Sequence, residues 1–203
     1  MGARPLTEFG EAVDALRRAQ LVAAPTETLV GLLADVTNPE AVARVVRAKG
    51  RAQGKPIGVI IPEFAALVSV AEPVSDRVEA LARAFWPGPL GLILRARAGL
   101  PDALLAAGKI AVRVPGPSPA LDLVRAFGGA LTSTSANLAG GASVRRTREL
   151  DPRIAAACQV IVPGEAGSGQ PSTLLDVSSW PPRCVRDGAV ARARWEPWLS
   201  RSG

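Results

Sequence analysis

Leu21-Val22-Ala23-Ala24-Pro25, then Asn38-Pro39 with Ala41, Val42, Val45 and Val46 running to Gly50, then Ile57-Gly58-Val59-Ile60-Ile61-Pro62: this stretch decides the fold. The first run is short and continuously apolar, as a buried strand is, and a proline closes it. Asn38 offers a side-chain oxygen to the open amides of a helix start, and Pro39 sits where a missing N–H costs nothing. The apolar residues that follow recur at helical spacing, and Gly50 suits the left-handed conformation that ends a helix. Ile57 to Ile61 is a second buried strand, stopped by Pro62. Strand, helix and strand in succession predict an α/β domain.

The alternation continues outward. Ser75 caps a helix with the stripe Val78, Leu81, Ala82 and Phe85, broken at Pro87-Gly88-Pro89. Leu90–Leu94 and Ile110–Val114 read as strands, and Ser118-Pro119 opens a helix carrying Leu121, Leu123, Val124 and Phe127. Ala130–Ser135 is a strand rich in hydroxyls; Val160–Val162, Thr173–Val177 and Cys184–Val185 complete the strands. Several strands follow one another without a helix, so a mixed sheet is expected over a purely parallel one. Pro163 to Pro171 is a glycine-rich loop long enough to close over a ligand. No repeat or linker divides the chain, so one domain is expected over 1–190, with an Arg- and Trp-containing tail over 191–203.

Composition narrows the chemistry. The 203 residues are 48% apolar and carry a net charge of +6, which favours anionic partners. There is no histidine, so Ser-His-Asp triads, histidine bases and histidine-ligated metals are excluded. Of 24 basic residues only Lys49, Lys55 and Lys109 are lysines. Where arginine serves so generally, a lysine marks places that need a compact ammonium. Cys158 and Cys184 are read as buried thiols in a reducing compartment. Met1 to Pro5 opens without a signal-peptide run and no stretch approaches the ~20 apolar residues of a membrane span, so a cytoplasmic protein is expected.

Four clusters carry candidate chemistry. Pro25-Thr26-Glu27-Thr28 leaves the first strand; extended geometry puts both threonine hydroxyls on one face and Glu27 opposite, and the alternative is a turn that uses the hydroxyls locally. Lys49-Gly50-Arg51-Ala52-Gln53-Gly54-Lys55-Pro56 brings three cations and two glycines past a helix end. The helix dipole accounts for Lys49 but not for Arg51 and Lys55, which suit a polyphosphate; the glycines do not fit Walker A spacing. In Ile110-Ala111-Val112-Arg113-Val114-Pro115 an arginine stands in an apolar strand, needing either a carboxylate ligand or an internal acid. In Leu131-Thr132-Ser133-Thr134-Ser135-Ala136-Asn137, alternation separates Ser133, Ser135 and Asn137 from the two threonines, giving a row of small polar groups or else an exposed edge. Ser143 and Ser172 lie in loops and mean little alone, and Arg145-Arg146-x-Arg148 is either an RNA contact or surface decoration.

In order and spacing, these stretches resemble the YrdC-like family of L-threonylcarbamoyladenylate synthases. The resemblance is carried by Pro25-Thr26-Glu27-Thr28-Leu29-Val30-Gly31-Leu32, Lys49-Gly50-Arg51 with Lys55-Pro56, Phe85-Trp86-Pro87-Gly88-Pro89-Leu90, and Ala111-Val112-Arg113-Val114-Pro115. It continues through Ser133 to Gly140, Pro171-Ser172-Thr173 with Asp176, and Arg186-Asp187-Gly188-Ala189. It implies a twisted mixed parallel/antiparallel α/β fold with flanking helices and a basic central cleft. It also implies the joining of L-threonine, bicarbonate (or CO2) and ATP into threonylcarbamoyl-AMP, with pyrophosphate released. A partner transferase would then modify adenosine 37 of tRNA.

Carried over by motif, Thr28, Arg113, Ser133 and Ser172 would contact threonine. Arg51, Lys55, Ser135, Ser143 and Arg186 would contact ATP, Asn137 would orient the cleft beside it, and Lys109 would lie near the nucleotide. Lys49 and Arg51 would be the catalytic cations. Mg²⁺ is expected as the escort of ATP, with no metal held by the protein itself, and weak tRNA binding is expected. Two departures stand out: Val30 replaces an aromatic residue and Ala139 a serine. The length resembles the short, single-domain form. Two rival readings are a non-catalytic RNA-binding module, which lacks stacking aromatics on a strand, and the carbamoyl-adenylate domain of hydrogenase-maturation proteins, which lacks its cysteine-rich partner here.

Overall fold

The computed structural model describes residues 9–50 and 56–198. α1 spans Gly10–Arg17 and leads into β1, Leu21–Pro25, and β2, Val30–Leu33. α2, Pro39–Lys49, is followed by β3, Val59–Ile60, α3, Asp76–Phe85, and β4, Leu90–Arg95. Next come β5, Leu105–Ala106, β6, Lys109–Arg113, α4, Pro119–Phe127, β7, Leu131–Thr132, and β8, Thr134–Ser135. α5, Pro152–Ala157, β9, Cys158–Ile161, β10, Thr173–Asp176, β11, Arg183–Arg186, and α6, Arg192–Trp195, follow.

The starts of α2 and α4 obey local chemistry, whereas Ser75, expected as a cap, heads α3 without a side-chain hydrogen bond. Asn38 accepts from the amides of Glu40 and Ala41 at 3.0 and 3.2 Å, and Gly50 ends α2 at φ 57°. Ser118 accepts from Leu121 N at 3.3 Å at the head of α4. Both helices turn their apolar stripes inward, burying Val42 and Val45 of the first and Leu121, Leu123 and Val124 of the second.

The mixed pairing is borne out, but in two sheets. One has the order β8-β2-β1-β9, the other β11-β10-β4-β6-β3-β7 with β5 added on β6. Both combine parallel pairs (β1 with β9, β4 with β10, β3 with β6) and antiparallel ones.

The hydroxyl-rich segment is the junction. It was expected as one strand over Ala130–Ser135, yet it divides at Ser133: β7 pairs with β3 in the larger sheet, and β8 with β2 in the smaller. Ser133 N donates to Gly58 O at 2.6 Å, and a Cβ on Gly58 would stand 3.2 Å from Ser133 O. A larger residue there would crowd the two backbones and require a small shift. The strand expected over Ile57–Ile61 is shorter, Val59–Ile60.

Trp195 is 2% exposed and the Phe85 and Trp198 rings meet edge-on at 6.1 Å, so residues 192–198 pack onto the core. Among the described residues, no helix is long and apolar enough to cross a membrane.

Candidate functional site

Both sheets contribute walls to a cavity of about 640 Å³, a volume that suits small-molecule ligands. Its lining includes Thr28, Lys109, Arg113, Ser133, Ser135, Ser143, Ser172 and Arg186. Eight of the twelve expected site residues therefore meet at one place. Lys49 and Asn137 stand behind the wall, and Arg51 and Lys55 lie outside the described residues.

Arg113, the last residue of β6, is 7% exposed and lies on the cavity side with Ala111 and Lys109. Of its two sequence alternatives the internal acid is present: Nη1 forms an ion pair with Glu27 Oε1, while the side chain also lines the cavity. Nη2 faces Ser133 Oγ at 3.5 Å. Burial, with the like charge of Arg186, pushes the Arg113 guanidinium down to about 10, which leaves it cationic at neutral pH. Arg186 is also lowered by burial; it donates through Nε to Ser172 O at 3.0 Å and through Nη2 to Ser172 Oγ at 3.1 Å. A buried guanidinium and a more exposed one on the same cavity suit an anionic ligand.

The Thr26–Thr28 segment corrects the strand-exit expectation. It is the turn joining β1 to β2, whose register pairs Pro25 with Val30. Thr26 Oγ1 accepts from the amides of Thr28 and Leu29 at 3.0 and 3.2 Å, donates to Leu29 O at 2.8 Å, and sits 2.8 Å from Thr28 Oγ1. Local satisfaction by the hydroxyls describes Thr26, and both Thr26 and Thr28 line the cavity.

The loop expected to close over a ligand is stitched to this turn. Gly167 N, Ser168 N and Gly169 N donate in sequence to the carbonyls of Thr26, Glu27 and Thr28 at 3.1, 2.9 and 2.9 Å. The arginine cluster braces the same loop: Arg145 and Arg146 pair with Glu165 at 3.2 and 3.3 Å, and Arg146 with Glu149 at 3.1 Å.

Lys49 lies behind the cavity wall, tied to the lining residue Ser135. It is 3% exposed, and its ammonium donates to Ser135 O, to Asn137 O at 2.7 Å and to Asn137 Oδ1 at 3.3 Å. Ser135 Oγ donates to the same Oδ1, and Asn137 Nδ2 to Leu138 O at 3.0 Å. The helix end thus supports the cavity wall from behind.

On the far side Lys109 pairs with Asp176 Oδ2 at 2.9 Å, bridging β6 and β10 across β4. Burial raises the Asp176 carboxyl, but hydrogen bonds from Ser178 and Lys109 outweigh it and hold the group below the usual carboxylate range. Glu27, Asp176 and the lining residue Arg183 received no role from the sequence. Glu27 could have been found as the acid that a buried Arg113 requires; Arg183 carried no signal among so many arginines.

A profile of the Sua5/YciO/YrdC family, described as telomere recombination, matches residues 14–188. The chain belongs to the Sua5/YciO/YrdC family. It is 33% identical over 177 residues to threonylcarbamoyl-AMP synthase of Pyrococcus abyssi, covering 86% of this chain and 52% of that protein. The chain thus spans about half the length of that relative. Threonylcarbamoyl-AMP synthase of Methylococcus capsulatus is 36% identical over 170 residues, covering 83% of this chain and 91% of that one. The crystal structure of P. abyssi Sua5 complexed with L-threonine superposes with a TM-score of 0.89 at 30% identity, over 97% of this chain and 58% of that one.

Proposed function

We propose that this family member makes L-threonylcarbamoyl-AMP from L-threonine, bicarbonate (or CO2) and ATP, releasing pyrophosphate, and that a partner transferase uses the product to modify adenosine 37 of tRNA. The observation that carries the reading is the paired guanidinium groups of Arg113 and Arg186 on one cavity, each beside a serine hydroxyl. Support comes from relatives named threonylcarbamoyl-AMP synthase and from a threonine complex of a fold this similar.

In this reading the threonine carboxylate meets Arg113, with Thr28, Ser133 and Ser172 supplying hydroxyls around it. Ser135, Ser143, Lys109 and Arg186 face the nucleotide, Arg51 and Lys55 neutralise its phosphates, and Asn137 holds Ser135 in place. Threonine nitrogen and the carbon dioxide unit form a carbamate; its oxygen attacks the α-phosphorus and the bond to pyrophosphate breaks. With no histidine in the chain, positioning and charge neutralisation supply the rate.

Mg²⁺ would enter with ATP, held by phosphate oxygens and water. Among the described residues Asp176 is the acid on the wall, and its oxygens are engaged by Lys109 and Ser178. A pyrophosphate-release assay tests the reading: turnover should require both threonine and bicarbonate, and release indifferent to threonine would refute it.

A further inference from the structure

Glu27 is not among the cavity-lining residues, yet the fold fixes it from several sides. Its carboxylate meets Arg113 Nη1 through Oε1 alone; the other oxygen, Oε2, is buried and has no hydrogen-bond partner among the described residues. Ser168 N donates to the Glu27 carbonyl at 2.9 Å, and a Cβ on Gly167 would collide with that carbonyl. Gly116, shortly after Arg113, lies against the side chain: a Cβ there would be 3.0 Å from Glu27 Cγ. A buried carboxylate with an unsatisfied oxygen is costly, so the surrounding structure must maintain it. The pairing is also one-sided. Arginine has five N–H donors in a fixed fork, and a single contact to Nη1 leaves most of them for a second acceptor.

We propose that Glu27 is a positioning residue: it grips the Arg113 guanidinium from outside the cavity through one nitrogen, so that the rest of the fork meets the carboxylate of the amino-acid substrate. The inference rests on the reading of Arg113 as the carboxylate site. A two-pronged Glu27–Arg113 pair would consume that fork, whereas no acid at all would leave a buried guanidinium uncompensated before substrate arrives.

Steady-state kinetics with threonine and ATP varied in turn test this on Glu27→Gln, Glu27→Asp, Gly116→Ala and Arg113→Ala. Glu27→Gln should raise the KM for threonine about tenfold or more while that for ATP stays within about twofold, as expected when one ligand's contact is misplaced. Glu27→Asp, which keeps the charge, should fall between the parent and Glu27→Gln. If Glu27→Gln does not fold, Gly116→Ala, which crowds the Glu27 side chain without changing charge, carries the same expectation. A threonine KM that is unchanged or lowered, or an equal rise for ATP, overturns the role of Glu27. Arg113→Ala separates the two ideas. If it too leaves the threonine KM unchanged, the carboxylate-site reading fails; if it alone raises that KM, only the role of Glu27 fails.

Discussion

The ammonium of Lys49, at the end of α2, donates to the backbone and side-chain oxygens of Asn137, 2.7 and 3.3 Å away. Ser135 O accepts from the same nitrogen, and Ala139 N returns a hydrogen bond to Lys49 O at 2.8 Å. A helix terminus and the segment that follows the sheet junction are thereby joined at one buried charge. Charge-assisted hydrogen bonds to buried carbonyls contribute about 1.5–3 kcal/mol, and their loss leaves acceptors unsatisfied. Lys49→Ala should therefore destabilise the protein by about 2–4 kcal/mol. Urea denaturation checks it; a midpoint matching the parent would show that Lys49 acts only on ligands.

Substrate binding should divide between two cations. Arg51→Ala is expected to weaken ATP roughly 10–100-fold with little effect on threonine, and Arg113→Ala to do the reverse, since each would remove a charge-assisted contact to one anion. Calorimetric titration of each ligand into each variant reads the outcome. Equal losses for both ligands in both variants would contradict the division.

Gly167→Ala should loosen the loop from the turn. The added methyl would meet the Glu27 carbonyl, so the hydrogen bonds from Gly167, Ser168 and Gly169 could not all persist. Forcing a methylene into a packed contact costs about 1–3 kcal/mol. A lower Tm together with faster amide exchange at 167–169 is expected, and unchanged exchange there would count against the stitching.

The Lys109–Asp176 bridge predicts a pH signature. The Asp176 carboxyl is held below its ordinary value in the folded protein, because its hydrogen bonds to Ser178 and Lys109 outweigh the opposing effect of burial. Its contribution is therefore complete above the unfolded value of about 3.9 and lost as pH falls through the lower folded one. With Lys109 36% exposed, solvent screening limits the pair to about 0.5–1 kcal/mol. The Tm difference between the parent and Asp176→Asn should be present at pH 7 and shrink below about pH 4. A difference that does not vary with pH would exclude the carboxylate as its source.

Much of this was legible in local sequence signals. Asn38-Pro39 and Ser118-Pro119 mark helix starts through side-chain oxygens the backbone needs, and both helices begin there. Asp151-Pro152 carries the same signature at the head of α5, where Asp151 accepts from Arg153 N at 2.9 Å. α1 has no such signature: Phe9 occupies its cap with no side-chain hydrogen bond. Alternation found the cavity side of Arg113 but not the grouping of the polar row, since Thr134 lines the cavity between Ser133 and Ser135 and Asn137 does not. It could not reveal that the row divides between two sheets, because that depends on how closely Gly58 approaches Ser133. Nor could the sequence show the ties of Lys49 to Ser135 and Asn137, since a helix-terminal lysine reads the same whether it faces a phosphate or the carbonyls of a distant segment.

The most direct test supplies ¹³C-bicarbonate, L-threonine and ATP and follows the nucleotide product by mass spectrometry. The account predicts a threonylcarbamoyl adenylate that is heavier by the isotope's increment and forms in step with pyrophosphate. Unlabelled AMP as the only nucleotide product, formed whether or not threonine is present, would contradict it.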